Sequence, residues 1–162
     1  MKEQFAMSYD TYADGLYRFC YLKVSSREVA EDITQESFTR YWQHLRLGKE
    51  VENERALLYR IARNLVIDWY RKRKSVSLDA ITEAGVEFAH DAHIRAEDHA
   101  EFTKAITVIN TLDEPTRDAL LMRFVEGLAP KDIAEVTGES ANVISVRITR
   151  GIQKVRDHLH LS

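Results

Sequence analysis

One cysteine, two prolines and six glycines in 162 residues give this chain few means of being cross-linked, kinked or loosened. A single cysteine, Cys20, cannot form an intrachain disulfide, and a cytosolic home is expected. No apolar run reaches the ~20 residues of a membrane span, and the N-terminus lacks the pattern of a signal peptide. No sign of charge dominates: 23 Lys and Arg stand against 26 Asp and Glu, a net charge of −3, which argues against an indiscriminate nucleic-acid binder. A Gly-rich phosphate loop is absent, as is any nucleophile beside a plausible base, so no catalytic residue and no enzyme are expected. His90, His93 and His99 match no zinc spacing, so neither metal nor other cofactor is expected. What is present is a 44% hydrophobic, 30% charged composition. The fold class expected is all-α, with length for one domain or two small ones.

The near-neutral sum hides a strong asymmetry. Between Arg55 and Lys74, seven cations (Arg55, Arg60, Arg63, Arg71, Lys72, Arg73, Lys74) face Asp68 alone. Between Val76 and Glu101 the acids Asp79, Glu83, Glu87, Asp91, Glu97, Asp98 and Glu101 face Arg95 alone. A basic block followed by an acidic one says more than the total.

Apolar periodicity divides the chain. Phe5, Tyr9, Tyr12, Leu16 and Phe19 make one face of a helix ending near Val24. Ser25 and Glu28 fit a capping box opening a second helix to about Leu45, with Ala30, Ile33, Phe38, Tyr41, Trp42 and Leu45 inward. Glu28, Glu31, Asp32, Gln35 and Glu36 crowd its N-terminal half, either as a dipole-matched solvated face or as a docking surface for a basic partner. A loop from Leu47 to Asn53 leads to a third helix, Glu54 to Lys74, with Leu58, Ile61, Ala62, Leu65, Val66 and Trp69 inward. Its cations interleave with Trp69 and Tyr70, the combination that holds single-stranded DNA through phosphates and stacked bases. Residues 76–96 read as an acidic linker that could fold back on the 55–74 stretch.

Beyond it, a helix from Glu97 buries Phe102, Ala105, Ile106 and Ile109. Asp113-Glu114-Pro115 starts another, with Ala119, Leu120, Leu121, Phe124 and Val125 as core and Gly127 as its stop. Then comes PKDIAEVTGESANVISVRITRGIQKVR, from Pro130 to Arg156. Pro130 suits a first turn, Gly138 a left-handed helix end, and Ser140 an N-cap. Val143, Ile144, Ile148, Ile152 and Val155 form the apolar face of the helix that follows. This is a helix-turn-helix pattern, whose second helix can enter a major groove.

Two blocks in this order resemble the extracytoplasmic-function (ECF, group IV) sigma factors of the bacterial sigma-70 family. LYRFCYLKVSSREVAEDITQESFTRYWQ with ALLYRIARNLVIDWYRKRK is similar to their promoter-melting σ2 domain. LDEPTRDALLMRFVEGLAPKDIAEVTGESANVISVRITRGIQKVRDHL is similar to their σ4 domain. The resemblance implies a σ2-like bundle over 1–75, the linker 76–96 and a σ4-like helix-turn-helix domain over 97–162. It implies binding to core RNA polymerase, at the β′ clamp helices through Asp32, Gln35, Glu36, Phe38, Arg40 and Trp42, and at the β flap through the second domain. It implies −10 DNA contacts from Asn53, Arg60, Arg63, Asn64, Trp69, Arg71 and Arg73. The −35 contacts fall on Lys131, Asn142, Ser145, Arg147, Thr149, Arg150 and Lys154. Promoter DNA and an anti-sigma factor are the further partners implied. Four positions depart from relatives: Leu57 for tryptophan, Ser145 for a basic residue, Glu139 for an apolar one and Gly151 for alanine. Glu139 is expected to loosen the turn. Gly151, inside a helix, costs ~1 kcal/mol in propensity and marks a bend or a close contact.

Two other classes compete with a sigma factor. A stand-alone helix-turn-helix regulator has no need of the acidic second helix or the basic-aromatic third. An enzyme lacks the constellations noted above.

Overall fold

The computed structural model describes residues 1–74 and 96–161, and among these there are helices and turns but no strand. The chain divides into two compact units. The acidic linker expected over 76–96, its fold-back onto the basic helix, and His90 and His93 lie outside the described residues, apart from Ala96, which opens a helix.

Three long helices make the first unit: α1 (Lys2–Val24), α2 (Arg27–Arg46) and α3 (Glu54–Lys74), each packed on the other two. Their facing stripes bury Leu16, Phe19, Cys20, Ala30, Tyr41, Leu58, Tyr59, Ala62 and Val66. Burial of each large side chain contributes ~1.5–3 kcal/mol, so these contacts rather than helix propensity hold the unit. Cys20 sits in this core as a small apolar group.

The α1–α2 joint corrects the capping box. Ser25 adopts a left-handed φ of 55° and ends α1, donating its N–H to the Tyr21 carbonyl at 2.9 Å. Ser26 therefore becomes the N-cap of α2, its hydroxyl accepting from Val29 N–H at 3.3 Å. Val29 now stands at N3, where a box needs Glu or Gln, so Glu28 has no reciprocal role.

Asn53 caps α3, its Oδ1 accepting from Ala56 N–H at 3.0 Å. Next to it, the Glu54 carboxylate accepts from Gln4 Nε2 and from the Ser8 hydroxyl, both at 2.7 Å, and Ser8 also pairs with the Tyr41 hydroxyl at 3.1 Å. Burial pushes the Glu54 carboxyl up, but the hydrogen bonds from Gln4, Ser8 and Tyr41 outweigh it and hold the group below its usual range. The start of α3, and with it the preceding loop, is thereby tied to α1 and α2. At the other end the Tyr70 hydroxyl donates to the Lys23 carbonyl, anchoring the basic terminus of α3 to the end of α1.

The second unit begins with α4 (Ala96–Ile109) and α5 (Glu114–Leu120), which pack on the last helix, α7 (Ala141–Leu161). Asp113 caps α5 as its sequence suggests, accepting from Thr116 N–H at 3.2 Å and from its hydroxyl at 2.8 Å. Those bonds, the hydroxyl's first, hold the Asp113 carboxyl below its ordinary range. Just before α7 lies α6 (Pro130–Thr137), which ends at Gly138 with φ 80°.

Three core assignments change, Tyr9 of α1 among them at 48% exposure. After α5 the backbone widens into a π-helical turn, Leu121–Val125, with Glu126 N–H reaching the Leu121 carbonyl at 3.1 Å. One extra residue rotates the following side chains by roughly 100°. Phe124, expected inside, is therefore 56% exposed. Val143 is likewise outside the core at 42% exposure, because Ile144 and Val155 supply the buried contacts of α7.

Candidate nucleic-acid interface

The turn between α6 and α7 is held by side chains as well as by Gly138. Ser140 caps α7, accepting from Val143 N–H at 3.2 Å. Glu139 forms a two-pronged ion pair with Arg147, at 2.5 Å to Nη1 and 2.8 Å to Nη2. The expected loosening at Glu139 is thus reversed: the carboxylate stitches the turn to α7. Its hydrogen bonds hold the Arg147 guanidinium above its usual pKa, against the opposing effect of burial.

A shallow cleft of about 410 Å³ runs along α7, lined by Thr116, Asn142, Val143, Val146, Arg147, Arg150, Gly151 and Lys154. Four of the seven residues expected at duplex DNA (Asn142, Arg147, Arg150 and Lys154) meet there. Ser145 and Thr149 are exposed on α7, the Thr149 hydroxyl donating to the Ser145 carbonyl at 3.0 Å, and Lys131 is exposed in the first turn of α6. Val143 and Val146, 42% and 40% exposed, line the same cleft. Val143 reads as core by periodicity and Val146 falls outside that series, so only their outward placement singles them out. Gly151 is packed tightly against α5: a Cβ there would stand 2.8 Å from Thr116 Cγ2 and 3.1 Å from Leu120 Cδ1. It marks a close contact with α5.

On α3, Arg60, Asn64 and Arg71 are exposed and Arg63, Trp69 and Arg73 half-buried, as is Asn53 just before the helix. The Arg73 guanidinium stacks over the Trp69 ring at 4.9 Å, and Tyr70 meets that ring edge-on at 4.9 Å. Arg71 lies 3.9 Å from Asp68, an exposed pair of little energetic consequence. The basic end thus presents cations around one indole, while the Tyr70 hydroxyl serves the fold. Asn53 already uses its carbonyl oxygen as a helix cap.

On α2, Asp32, Gln35, Glu36 and Arg40 are exposed, Trp42 is half-buried and Phe38 is 3% exposed. Glu36 and Arg40 pair at 3.0 Å along the helix. An aromatic-walled groove of about 490 Å³ opens between α1 and α2, lined by Phe5, Tyr9, Phe38 and Trp42 with Lys2, Gln35 and Thr39. Phe5 and Tyr9, read as core from their spacing, contribute its wall, with the Tyr9 and Phe38 rings 4.8 Å apart. The sequence alone offered no sign of this, because a groove needs two helices to form it.

The family model for Sigma-70 region 2 matches residues 8–76 and that for Sigma-70 region 4 matches residues 103–155. The chain belongs to the sigma-70 family, in its extracytoplasmic-function group. The ECF RNA polymerase sigma factor SigX of Bacillus subtilis is 25% identical, over 99% of this chain and 86% of SigX. SigW of the same organism is 27% identical over 98% of this chain and 90% of its own length. Among solved structures, RpoE in complex with the anti-sigma factor NepR from Bartonella quintana superposes with a TM-score of 0.80 at 20% identity, covering 99% of both chains. CnrH in complex with the cytosolic domain of CnrY gives 0.74 at 19% identity, over 100% of this chain and 91% of CnrH. At those identities the two structures speak for the fold.

The chain is an RNA polymerase sigma factor, which recognises promoters for the core enzyme. Within this sigma factor the candidate residues form three surfaces. The acidic face of α2 and the basic-aromatic face of α3 belong to the first unit, and the cleft of α7 to the second. No helix of the described residues is long and apolar enough to cross a membrane, and they contain no cluster of metal-binding side chains.

Proposed function

We propose that this sigma factor divides initiation between its two units, working in the cytoplasm as a dissociable, non-enzymatic subunit. Residues 1–75 form the core-binding and −10 melting domain, residues 76–96 the linker, and residues 97–162 the −35-reading domain. Asp32, Gln35, Glu36 and Arg40 present charge to the β′ clamp helices, with Phe38 and Trp42 at the adjoining groove. The second domain rests on the β flap. Arg60, Arg63, Asn64 and the Trp69–Arg73 stack engage the opened −10 strand, with Arg71 on phosphates. Asn53 orders the loop that receives a splayed base. The division follows from energy: opening duplex costs ~1.4 kcal/mol per base-pair step, more than one small domain offsets over many pairs, so the polymerase must share the work. The observation that carries the −35 assignment is the cleft of α7, where Asn142, Arg150 and Lys154 converge beside the two exposed valines. An anti-sigma factor that covers the α2 face, the DNA faces or both would hold the protein inactive, a role supported by the partners named for the RpoE and CnrH structures.

In vitro transcription with core polymerase on a library of random promoters tests this directly. Selective initiation from promoters sharing two spaced elements is the expected result. Core that starts no more selectively with this chain added would end the proposal.

Two variants test the α7 assignment. Arg150→Ala should weaken binding to the selected −35 duplex by ~1–3 kcal/mol while affecting a scrambled duplex less. An equal loss on both would make Arg150 a phosphate contact. Val143 and Val146 suit thymine methyl groups, the apolar feature of the major groove. Val146→Ala should weaken binding several-fold on a thymine-containing element and lose that effect when deoxyuridine replaces thymine. The same penalty on both templates would remove the valine from base reading.

A further inference from the structure

Arg147 reaches back to the turn that precedes α7. Its guanidinium is gripped by both oxygens of Glu139, eight residues earlier, at 2.5 and 2.8 Å. The two side chains are only 22% and 35% exposed. A bidentate, partly desolvated pair of this kind is directional, and it joins the turn to the second turn of α7. Asp113 adds a second negative charge facing Arg147, and also faces Lys154. Arg147 nonetheless forms part of the cleft wall, alongside Asn142, Val143, Val146 and Arg150.

We propose that Glu139 is a specificity-determining residue. By holding Arg147 across the turn it keeps that cation off the DNA backbone and sets the pitch at which α7 meets the groove. Sequence discrimination is thereby left to Asn142, Val143, Val146 and Arg150. The inference rests on α7 being the −35 reader. Its physical basis is the difference between the two kinds of DNA contact. A cation delivered to phosphate strengthens binding to every sequence, whereas base-edge contacts separate one sequence from another. Freed from Glu139, Arg147 would raise the first without the second. The helix it braces would also lose its fixed approach.

The test uses holoenzyme assembled from the full chain, on a promoter chosen from the library and on the same promoter with its −35 element scrambled. With Glu139→Gln, binding to the scrambled promoter should tighten, and its log–log salt slope should steepen by about one. The ratio of selected to scrambled affinity should fall roughly fivefold to tenfold. Asp157→Asn makes the same charge change on an exposed position of α7 and should leave that ratio unchanged. The charge-reversed double variant, Glu139→Arg with Arg147→Glu, restores the pair and should recover the ratio to within about twofold. Far-ultraviolet circular dichroism on each variant reports the fold. Unchanged slope and ratio in Glu139→Gln would overturn the inference, as would a double variant no better than Arg147→Glu alone. If wild-type holoenzyme itself shows no preference for the selected −35 element, the duplex-reader assignment falls and this inference with it. If wild type discriminates and Glu139→Gln discriminates equally, only the role of Glu139 is lost.

Discussion

Gly151→Val will destabilise the second unit by about 2–3 kcal/mol, and tryptophan fluorescence will not register the loss. A Cβ at residue 151 would lie 2.8 Å from Thr116 Cγ2 and 3.1 and 3.2 Å from the two Leu120 methyl carbons. Leu120 is fully buried and cannot retreat without disturbing the core. Thr116 is held as firmly, because both its N–H and its hydroxyl donate to Asp113. Turning that methyl aside would swing the hydroxyl off Asp113 and lose its hydrogen bond to the carboxylate, worth ~1.5–3 kcal/mol. Alanine is a finer test: it gains ~1 kcal/mol in helix propensity, which offsets much of the crowding, so its net effect should be small. Valine adds two more carbons and a stiff rotamer at the same point. Both tryptophans of the chain, Trp42 and Trp69, belong to the first unit, so their emission follows that unit alone. Urea unfolding followed by circular dichroism should therefore show an early transition for Gly151→Val, with the fluorescence midpoint unmoved. A wild-type circular-dichroism curve would mean that α5 and α7 can separate cheaply, against the close packing described above.

Replacing Asp32 and Glu36 together by lysine should abolish working affinity for core polymerase. A loss of roughly 100-fold or more is expected, since like charges set against a basic surface cost several kcal/mol. The fold should survive. Asp32 and Glu36 are exposed, and the Glu36–Arg40 contact is a surface pair with both side chains 49% exposed. Such pairs contribute at most about 1 kcal/mol. Co-elution with core polymerase, with circular dichroism as the control for folding, separates the outcomes. A folded double variant that binds core like wild type would remove the acidic face of α2 from the docking surface. Trp42→Ala should have a different signature. It opens the aromatic groove between α1 and α2 and should weaken core association without adding any charge repulsion.

The secondary structure was largely legible because it is written in local terms. Periodic apolar positions, Asp113 before Glu114-Pro115, and Gly138 before Ser140 each act over a few residues, and α1, α3, α5 and the helix-turn-helix appear where those signals stand. The family was legible too, since two motif blocks in order specify more than either alone. Some readings failed where two local signals competed or a register changed. Ser25 and Ser26 are equally good caps, and the choice fell to Ser26 because Ser25 was needed in the left-handed conformation that ends α1. Phe124 reads as core in a regular helix and left it because the π-helical turn shifted its register.

Local pattern alone, then, was enough to read an all-α fold, a basic-aromatic helix and a helix-turn-helix, and which side chains supply charge to each. Tertiary structure decided how those side chains are used. It turned Val143 and Val146 outward, gathered Phe5, Tyr9, Phe38 and Trp42 into a groove, placed Gly151 against Thr116, and closed Glu139 on Arg147. Helical period and capping depend on neighbours three or four residues away, which a linear reading reaches. A groove wall, a close approach or an ion pair bridging a turn depends on how separate elements meet, and that is set only when the helices pack.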